Sequence, residues 1–404
     1  MNRWRLATAA SCCALGLVLA VASAGGAAGV ASAAGVASAA GVASAAGVES
    51  AAGVESAAGV ERAAARGGST GLRVSGKHLV FGPGVGRVVQ LRGVSRSGTE
   101  YACIQGWGFF DSPHHAEIDT PQMIAAMRSW DIDVVRVPLN EDCWLGVNAP
   151  ALYSGSHYRQ IIRRYVQALN RAGLFVILDL HWAAPGAVKA THQLPMADAD
   201  HSPAFWSSVA DAFKSDHDVL FDLYNEPYGI SWSCWLHGCE IPASGATPAY
   251  RAAGMQELVD AVRSAGATQP LLLGGLNYAS DLSGWLAHEP RDPLHALVAS
   301  EHNYGGLSPC DSNCLDAVAT TARHVPVVFG ELGETDCNDD YILPMMRWAD
   351  RHGIGYLGWA WDATGTGWSC SGGPSLITSY DGSPTPYGVG FRDHFRALGP
   401  AVRP

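Results

Sequence analysis

Residues 219–227 read VLFDLYNEP, a run of apolar and aromatic residues that ends in asparagine, glutamate and proline. Runs of this kind are typical of buried β-strands, and the proline marks the point where the strand stops. Residues 327–331, VVFGE, repeat the pattern and also end in glutamate. Because charged side chains are seldom placed next to a buried strand without a function, Glu226 and Glu331 indicate two strands that each present a carboxylate.

Eight runs of this kind alternate with segments of helical periodicity. In chain order they are Gln90–Ser95, Val134–Leu139, Phe175–His181, Val219–Asn225, Leu271–Leu276, Val298–His302, Val327–Glu331 and Gly355–Trp361. Near-continuous apolar strands separated by helices predict a parallel sheet that is covered on both faces. Eight such units predict that the sheet closes, so we expect the α/β class and a (β/α)8 TIM barrel.

Helix and hairpin signals support this division. The main helical segments are Tyr158–Ala172, Ala249–Ala265 and Tyr341–His352. Two threonine–proline pairs predict helix starts, and three glycines predict helix ends; they are Thr120-Pro121, Thr247-Pro248, Gly173, Gly266 and Gly353. A β-hairpin over Leu72–Val89 is expected before the first barrel strand.

Polar and aromatic residues lie at the predicted strand ends, where barrels of this class build their active sites. In chain order they are Arg136, His181-Trp182, Asn225-Glu226, His302, Tyr304, Glu331 and Trp361. The first strand continues as RGVS at 92–95 and lacks the GxGxxG fingerprint of a dinucleotide-binding fold. A barrel active site is therefore the better interpretation.

Glu226 and Glu331 close the fourth and seventh strands, which lie across the mouth of such a barrel from each other. Two carboxyl groups about 5–5.5 Å apart are what retaining glycosidic cleavage requires. Glu334 is an alternative to Glu331, but we place it beyond the end of the strand. The pair therefore predicts a retaining β-glycosidase.

One ordered set of residues resembles a known family: Arg136, His181, Asn225-Glu226, His302-Asn303-Tyr304, Glu331 and Trp361. That family is glycoside hydrolase family 5, whose clan A barrels place the acid/base and the nucleophile after strands 4 and 7. The resemblance covers about residues 72 to 398 and is strongest toward the cellulase-like members. The segment GTEYAC at 98–103 and the short strand GWAW at 358–361 depart from the best-known cellulases.

Chemistry and resemblance together assign the catalytic roles. Glu331 is expected to be the nucleophile, which must be ionised to attack, and Arg136 with Tyr304 are expected to keep it so. Glu226 is expected to be the acid/base, with a pKa raised by the negative charge of Glu331.

The remaining roles concern the substrate. Asn225 is placed to bind the 2-hydroxyl of the sugar beside the nucleophile. His181 and His302 are expected to orient hydroxyls or the acid/base.

Thirteen tryptophans are many for this length. We expect three in helical segments to be packing residues: Trp130, Trp206 and Trp348. Others fall in strand-end loops: Trp107, Trp182, Trp232, Trp235, Trp361 and Trp368. Each of these fits core packing as well as stacking on a sugar ring, but as a set they indicate an extended cleft for a polymer. Trp107, Trp182 and Trp361 are our substrate-binding candidates, with Trp359 an alternative to Trp361.

Two of the ten cysteines, Cys12 and Cys13, lie in an N-terminal apolar segment. The other eight are an even number and predict disulfides in an exported protein. Cys234 with Cys239 and Cys310 with Cys314 are close enough to form small loops; we further expect Cys103 with Cys143 and Cys337 with Cys370, although the sequence leaves these four open. The absence of CxxC pairs or Cys/His clusters at zinc spacing argues against a metal, and no cofactor is expected.

Three regions are expected along the chain. Residues 1–24 have the basic start, apolar core and Ala-Ser-Ala pattern of a signal peptide. Residues 25–66 repeat a small-residue hexad and are interpreted as a flexible linker, and residues 67–404 form the catalytic domain. The net charge of −11 argues against nucleic-acid partners. We expect a secreted, extracellular monomer without a membrane anchor after cleavage.

The leading functional hypothesis is an endo-β-1,4-glucanase that hydrolyses a β-linked polysaccharide or oligosaccharide with retention. A β-mannanase is the alternative, because the catalytic machinery would be the same. A catalytically silent carbohydrate-binding barrel would be favoured only if one glutamate were missing. A metallohydrolase is disfavoured because Leu180-His181-Trp182 lacks the His-x-His of that class.

Overall fold

The computed structural model describes residues 71–110, 120–336, 338–363 and 374–401. The predicted signal peptide and linker lie outside these residues, as do Cys337, Cys370 and Trp368. None of the helices in the described ranges is long and apolar enough to cross a bilayer.

The strands account for the predicted runs. In chain order they are β1 (Leu72–Ser75), β2 (His78–Phe81), β3 (Arg87–Val89), β4 (Arg92–Ser95), β5 (Val134–Asn140), β6 (Phe175–Trp182), β7 (Val219–Asp222), β8 (Glu240–Ile241), β9 (Tyr250–Arg251), β10 (Leu271–Gly274), β11 (Leu297–Gly305), β12 (Val327–Glu334) and β13 (Gly355–Gly358). Eight of them, β4–β7 and β10–β13, form a closed barrel in which every neighbouring pair is parallel. The predicted (β/α)8 barrel is therefore confirmed.

Helices cover the outside of the barrel. They are α1 (Ala102–Gln105), α2 (Pro121–Arg128), α3 (Glu141–Leu145), α4 (Ser156–Arg171), α5 (Ser202–Phe213), α6 (Trp232–His237), α7 (Met255–Ser264), α8 (Ser312–Thr321), α9 (Ile342–His352) and α10 (Pro386–Leu398), with short 3-10 turns at Ala151–Tyr153 and Leu286–His288. In α4 the buried side chains recur at helical spacing, at Tyr158, Ile162, Tyr165, Val166 and Leu169. This one-sided apolar stripe is why the segment forms a helix that packs on the sheet.

The predicted N-terminal hairpin is a three-stranded antiparallel sheet, β1–β2–β3. Its buried residues Leu72, Leu79 and Val89 share one apolar cluster with residues near the start of the barrel strands, such as Val134 and Phe175. Because the strands are parallel, their starts lie at one end of the barrel. The small sheet therefore covers the end opposite the mouth.

Helix boundaries follow the predicted caps at one site and not at another. Thr120 caps α2 through its side chain, which accepts a hydrogen bond from Met123 N, and Pro121 begins the helix. The helix start predicted at Thr247-Pro248 is wrong. Residues near Thr247 form a tight antiparallel turn with Ser244 and then β9, because their backbone groups pair across that turn, and α7 begins at Met255.

Two positions expected at or beyond strand ends are wrong, one in β5 and one in β12, which is longer than expected. Arg136 is the third residue of β5, so it lies within the barrel rather than at the strand end. Glu334 is the last residue of β12 rather than a residue beyond it. Its carboxylate accepts hydrogen bonds from Tyr341 N and Ile342 N at 2.9 and 2.7 Å, so it holds the start of α9.

Three disulfides join described cysteines, and all three are among the predicted pairs: Cys103–Cys143, Cys234–Cys239 and Cys310–Cys314. The first joins the segment that follows β4 to the helix that follows β5. It therefore ties together two loops at the mouth of the barrel.

Candidate active site

Glu226 and Glu331 meet at the mouth of the barrel, as the sequence predicts. Glu331 lies within β12, and Glu226 lies four residues beyond the end of β7. One carboxylate oxygen of each glutamate and a ring nitrogen of His302 all lie within 4.8 Å of one another. The register between β11 and β12 shifts next to His302, which turns the end of the strand toward this point.

Two hydrogen bonds hold the carboxylate of Glu331. Arg136 Nη1 donates to Oε1 at 2.7 Å, and the hydroxyl of Tyr304 donates to Oε2 at 2.5 Å. Burial, reinforced by the charge of Glu331, raises the pKa of Tyr304 well above its usual range, so its hydroxyl keeps the proton that it donates. Both oxygens of Glu331 are thus oriented by donors, as the ionised form requires.

Arg136 connects the site to the interior of the barrel. Besides Glu331, its guanidinium contacts Asp222 at 2.9 Å, Asp179 at 3.0 Å and Asn225 Oδ1 at 2.7 Å. Burial alone would lower its pKa, but the nearby carboxylates outweigh burial and raise it. One fully buried arginine therefore fixes the relative positions of four side chains.

Glu226 has the environment of a carboxyl group that holds a proton. Its side chain is 21% exposed, and Oε1 lies 3.1 Å from His302 Nδ1. Burial, reinforced by the charge of Asp179 and opposed by His181 and Arg136, raises its pKa to about 7. The rise was expected, but its main cause is burial rather than the charge of Glu331.

The two histidines of the site are uncharged at neutral pH. Burial, together with Arg136, lowers the pKa of His181 to about 4, and burial lowers that of His302 to about 3. His181 Nδ1 is held by Asp179 at 2.7 Å. His302 is buried, and its Nε2 has no hydrogen-bond partner among the described residues. A neutral histidine beside Glu226 can donate a hydrogen bond without adding charge.

Asn225 is positioned from two sides. Its Oδ1 accepts from Arg136, and its Nδ2 donates to Gln193 Oε1 at 3.1 Å. Gln193 also donates to the backbone carbonyl of Glu226 at 3.2 Å. Sequence reasoning missed Gln193 because it lies in the long loop after β6 and carries no motif.

Asp179 and Asp222 were also missed, although the sequence contains a signal for them. Each is a carboxylate within an otherwise apolar barrel strand, and both side chains are fully buried. Burial raises the pKa of both groups, while the positive charge of Arg136 opposes that rise. They support Arg136 from within the barrel and do not reach the mouth themselves.

The aromatic predictions are only partly correct. Trp361 is fully buried and packs edge-on against Trp130 with ring centroids 4.8 Å apart, so its face is not available to a sugar. The prediction for Trp361 is therefore wrong. The alternative, Trp359, lies at the mouth, where its ring stacks on His181 with centroids 5.5 Å apart and planes 10° apart.

Trp182 and Trp107 surround Tyr101 on the same side of the mouth, with ring centroids 6.4 and 6.0 Å from it. Trp107 is 45% exposed, and Trp182 is half-buried. Trp235, by contrast, is fully buried and belongs to the core. The roles of Trp182 and Trp107 toward a substrate stay predictions.

Glu226, His302 and Glu331 have ligand atoms spaced as in a divalent-cation site, and so do Glu141, Asp198 and His201. In the second group Ser202 donates to Glu141, and Ser202 and the backbone amide of His201 donate to Asp198, which makes it a bracing network beneath the loop after β6.

Glycoside hydrolases that act through a carboxylate pair place two carboxyl groups close together, and in barrel enzymes the active site lies at the C-terminal end of the strands. The site of this protein has that arrangement. Comparison with protein families agrees, since the family model described as Cellulase (glycosyl hydrolase family 5) matches residues 86–365. The chain therefore belongs to glycosyl hydrolase family 5.

Among curated proteins the chain is similar to a β-mannanase/endoglucanase A from Caldicellulosiruptor saccharolyticus, with 24% identity over 298 residues that cover 70% of this chain and 19% of that protein. It is 28% identical to endoglucanase MaCel5A from a Microbulbifer species over 144 residues, 36% of this chain and 24% of that protein. A mannan endo-1,4-β-mannosidase from Streptomyces lividans is 28% identical over 178 residues, 42% of each chain. The chain thus spans less than half the length of these relatives.

Solved structures share the fold. A β-glucanase from Saccharophagus degradans superposes with a TM-score of 0.60 at 19% identity, covering 81% of this chain and 93% of that one. The catalytic domain of Thermobifida fusca endoglucanase Cel5A gives 0.55 at 19% identity, covering 81% and 97%.

Proposed function

We propose that this protein is a retaining endo-β-1,4-glucanase in which Glu331 is the nucleophile and Glu226 the acid/base. The observation that carries the proposal is the short separation of the two carboxylates, whose oxygens lie within 4.8 Å of each other. Retaining enzymes need carboxyl groups about 5–5.5 Å apart, whereas inverting enzymes leave about 6.5–9.5 Å for a water.

The reaction divides into two steps between these residues. In the first, Glu331 attacks the anomeric carbon, and Glu226 gives its proton to the leaving glycosidic oxygen. The bond to Glu331 removes a negative charge from the mouth, which favours ionisation of Glu226. In the second step Glu226 takes a proton from water, and the water displaces Glu331.

The neighbouring residues act on these steps by position. Asn225, held by Arg136 and Gln193, is directed to bind the 2-hydroxyl of the sugar under attack. Tyr304 and Arg136 orient the attacking carboxylate. Trp359, which stacks on His181, offers an aromatic face to the same sugar.

The choice of a glucan is supported by similarity. The Microbulbifer relative is named an endoglucanase, and one solved structure of the Saccharophagus degradans β-glucanase holds cellotetraose. A β-mannanase is the second candidate, because the Streptomyces lividans relative is named a mannosidase of mannan. The proposed substrate is a neutral β-linked chain in either case.

We further propose that the enzyme acts outside the cytoplasm. The signal-peptide pattern at residues 1–24 supports this. The three disulfides agree with it, since such bonds persist in oxidising compartments.

The test is product analysis of the purified protein on cello- and manno-oligosaccharides, with NMR detection of the anomer formed first. The β-anomer is expected, and release of the α-anomer would contradict retention. Glu331→Gln should lower kcat by at least about 10⁴-fold with an unchanged unfolding midpoint. Turnover near that of the unmodified enzyme would show that Glu331 is not the nucleophile.

A further inference from the structure

A partly open cavity of about 230 Å³ lies beside the catalytic centre, on the side away from Glu226. The residues that line it follow β4 and β13 or form the end of β6, whereas Glu226 follows β7. The cavity shares His181 and Trp359 with the catalytic centre, and Trp182 and Tyr101 add aromatic surface. It is therefore continuous with the place where a sugar would meet Glu331.

Glu100 is the feature of this cavity that the mechanism does not use. Its residue is 3% exposed, and its Oε2 accepts a hydrogen bond from Gly98 N at 2.7 Å. This almost completely buried carboxyl group lines the cavity. Burial of a carboxyl group is costly unless hydrogen bonds compensate for the water it loses, and a ligand in the cavity would supply further hydrogen bonds.

The backbone that carries Glu100 is held on two sides. Asn140 Nδ2 donates to the carbonyl of Glu100, and the hydroxyl of Tyr158 donates to the carbonyl of Thr99, both at 2.7 Å. The disulfide Cys103–Cys143 begins three residues further along the chain. Glu100 is thus presented by a braced loop, which is the condition for a specific binding group.

The protonation of Glu100 suits contact with neutral hydroxyls. Burial, reinforced by the charge of Asp362, raises its pKa to about 8, although hydrogen bonds from the backbone amides of Glu100 and Gly98 and the charge of Arg96 oppose the rise. Near neutral pH the group is a carboxylic acid that can both donate and accept a hydrogen bond. A sugar hydroxyl, which also does both, matches it.

We propose that Glu100 determines affinity for the sugar unit next to the one that Glu331 attacks, on the side opposite the leaving group, by hydrogen bonding to its hydroxyls. This inference rests on the proposed glycosidase function and adds the residue that recognises the second sugar. The leaving group lies toward Glu226, because Glu226 protonates it. The rest of the chain must therefore pass toward β4 and β13, where the cavity lies.

The experiment compares two activated substrates with the same aryl leaving group, an aryl β-glucoside and an aryl β-cellobioside. Only the second carries a sugar that can reach the cavity. In Glu100→Ala, kcat/KM for the cellobioside should fall about 10–100-fold, the value of one or two hydrogen bonds. The value for the glucoside should stay within about twofold, and Glu100→Gln should recover part of the loss.

Equal losses on both substrates would overturn the inference, since they would place the effect of Glu100 on the catalytic centre or the fold. No loss on either would overturn it too. Leu152→Ala, at a position 64% exposed on a surface turn, is the control and should change neither value. Near-ultraviolet circular dichroism and the unfolding midpoint establish that each variant is folded.

A binding measurement separates this inference from the proposed function. Calorimetry with cellotetraose compares Glu331→Gln with the double variant that also carries Glu100→Ala. Weaker binding by the double variant supports the role of Glu100 whatever the turnover, and equal binding contradicts it. The proposed hydrolase function has a different test. It would be contradicted if the unmodified enzyme cleaved neither gluco- nor manno-configured substrates although Glu331→Gln bound cellotetraose.

Discussion

Arg136 is the residue on which the geometry of the site depends most. It joins Asp179, Asp222 and Asn225 to Glu331 through contacts of 2.7 to 3.0 Å. Lysine could not replace it, because a point charge lacks the planar fork that reaches several acceptors at fixed angles. The sequence marked Arg136 through a family resemblance, whereas its aspartate partners depend on which strand faces lie inside the barrel.

The residue-scale prediction concerns the proton on Glu226. With a pKa raised to about 7 by burial, Glu226 is protonated below that pH and loses its proton above it. The acid step needs the protonated form, so kcat/KM should fall as pH rises through about 7, at up to tenfold per pH unit. A pH profile on a substrate with a poor leaving group measures this limb.

The matched variant is Glu226→Ala. It should lose most activity toward substrates with poor leaving groups, and its kcat/KM should no longer fall as pH rises through about 7. Azide should restore part of its turnover of activated substrates. If kcat/KM of the variant still fell above pH 7 as in the unmodified enzyme, or if azide restored no activity, the assignment of Glu226 would be wrong.

At the scale of elements, the strands were predicted closely and the loops were not. Strand cores are recognisable because a parallel barrel strand is apolar on both faces. The loop after β6, which supplies Gln193, and the turn at 244–247 have no comparable local pattern. Their conformation follows from contacts with other parts of the chain, so the helix predicted from Thr247-Pro248 did not form.

The element-scale prediction concerns the Cys103–Cys143 disulfide, which spans 40 residues and connects the loops after β4 and β5. Replacing both cysteines with serine should lower the unfolding free energy by about 2–4 kcal/mol, because the unfolded chain gains freedom in proportion to the logarithm of the loop length. Denaturant unfolding measures this.

The matched control is the corresponding double variant of Cys310 and Cys314, which are separated by only four positions. The smaller loop should cost less, about 2 kcal/mol. A larger loss from the small loop than from the large one would show that native packing, rather than chain entropy, dominates.

At the scale of the whole molecule, the barrel domain buries several carboxyl groups. Burial raises the pKa of Glu301 and of Glu100 to about 8, with nearby hydrogen bonds opposing the rise in each case. Burial also raises the pKa of Glu141 well above its usual range. These groups are protonated in the folded protein at pH values where the unfolded chain has released its protons.

The sign of the resulting pH dependence follows from linkage. A raised carboxyl pKa gives stability that is present below the unfolded pKa and is lost as pH rises through the folded one. His181 and His302 have lowered pKa values, so their contribution makes stability rise with pH instead. This contribution changes only below about pH 6.5, the pKa of an unfolded histidine. Stability should therefore fall between pH 6.5 and 8.5, by roughly 2 kcal/mol for each buried carboxyl group.

Urea unfolding across this pH range tests the prediction. Glu301→Gln should flatten the dependence, because an amide cannot ionise, while Glu257→Gln, at a half-buried side chain near the surface, should leave the slope unchanged. A stability that rises with pH over the same range would be inconsistent with buried, protonated carboxyl groups.

The sequence alone determined the barrel and the two glutamates, because strand hydrophobicity, strand order and the residues at strand ends are local properties that can be counted along the chain. Only the tertiary structure decided which aromatic ring faces the mouth, since Trp359 and Trp361 are equivalent in the sequence but lie on opposite sides of the strand end. It also decided that Glu334 supports a helix and that Glu100 faces a cavity. The direction of a side chain and the water it loses depend on contacts between distant segments, and no local pattern specifies those.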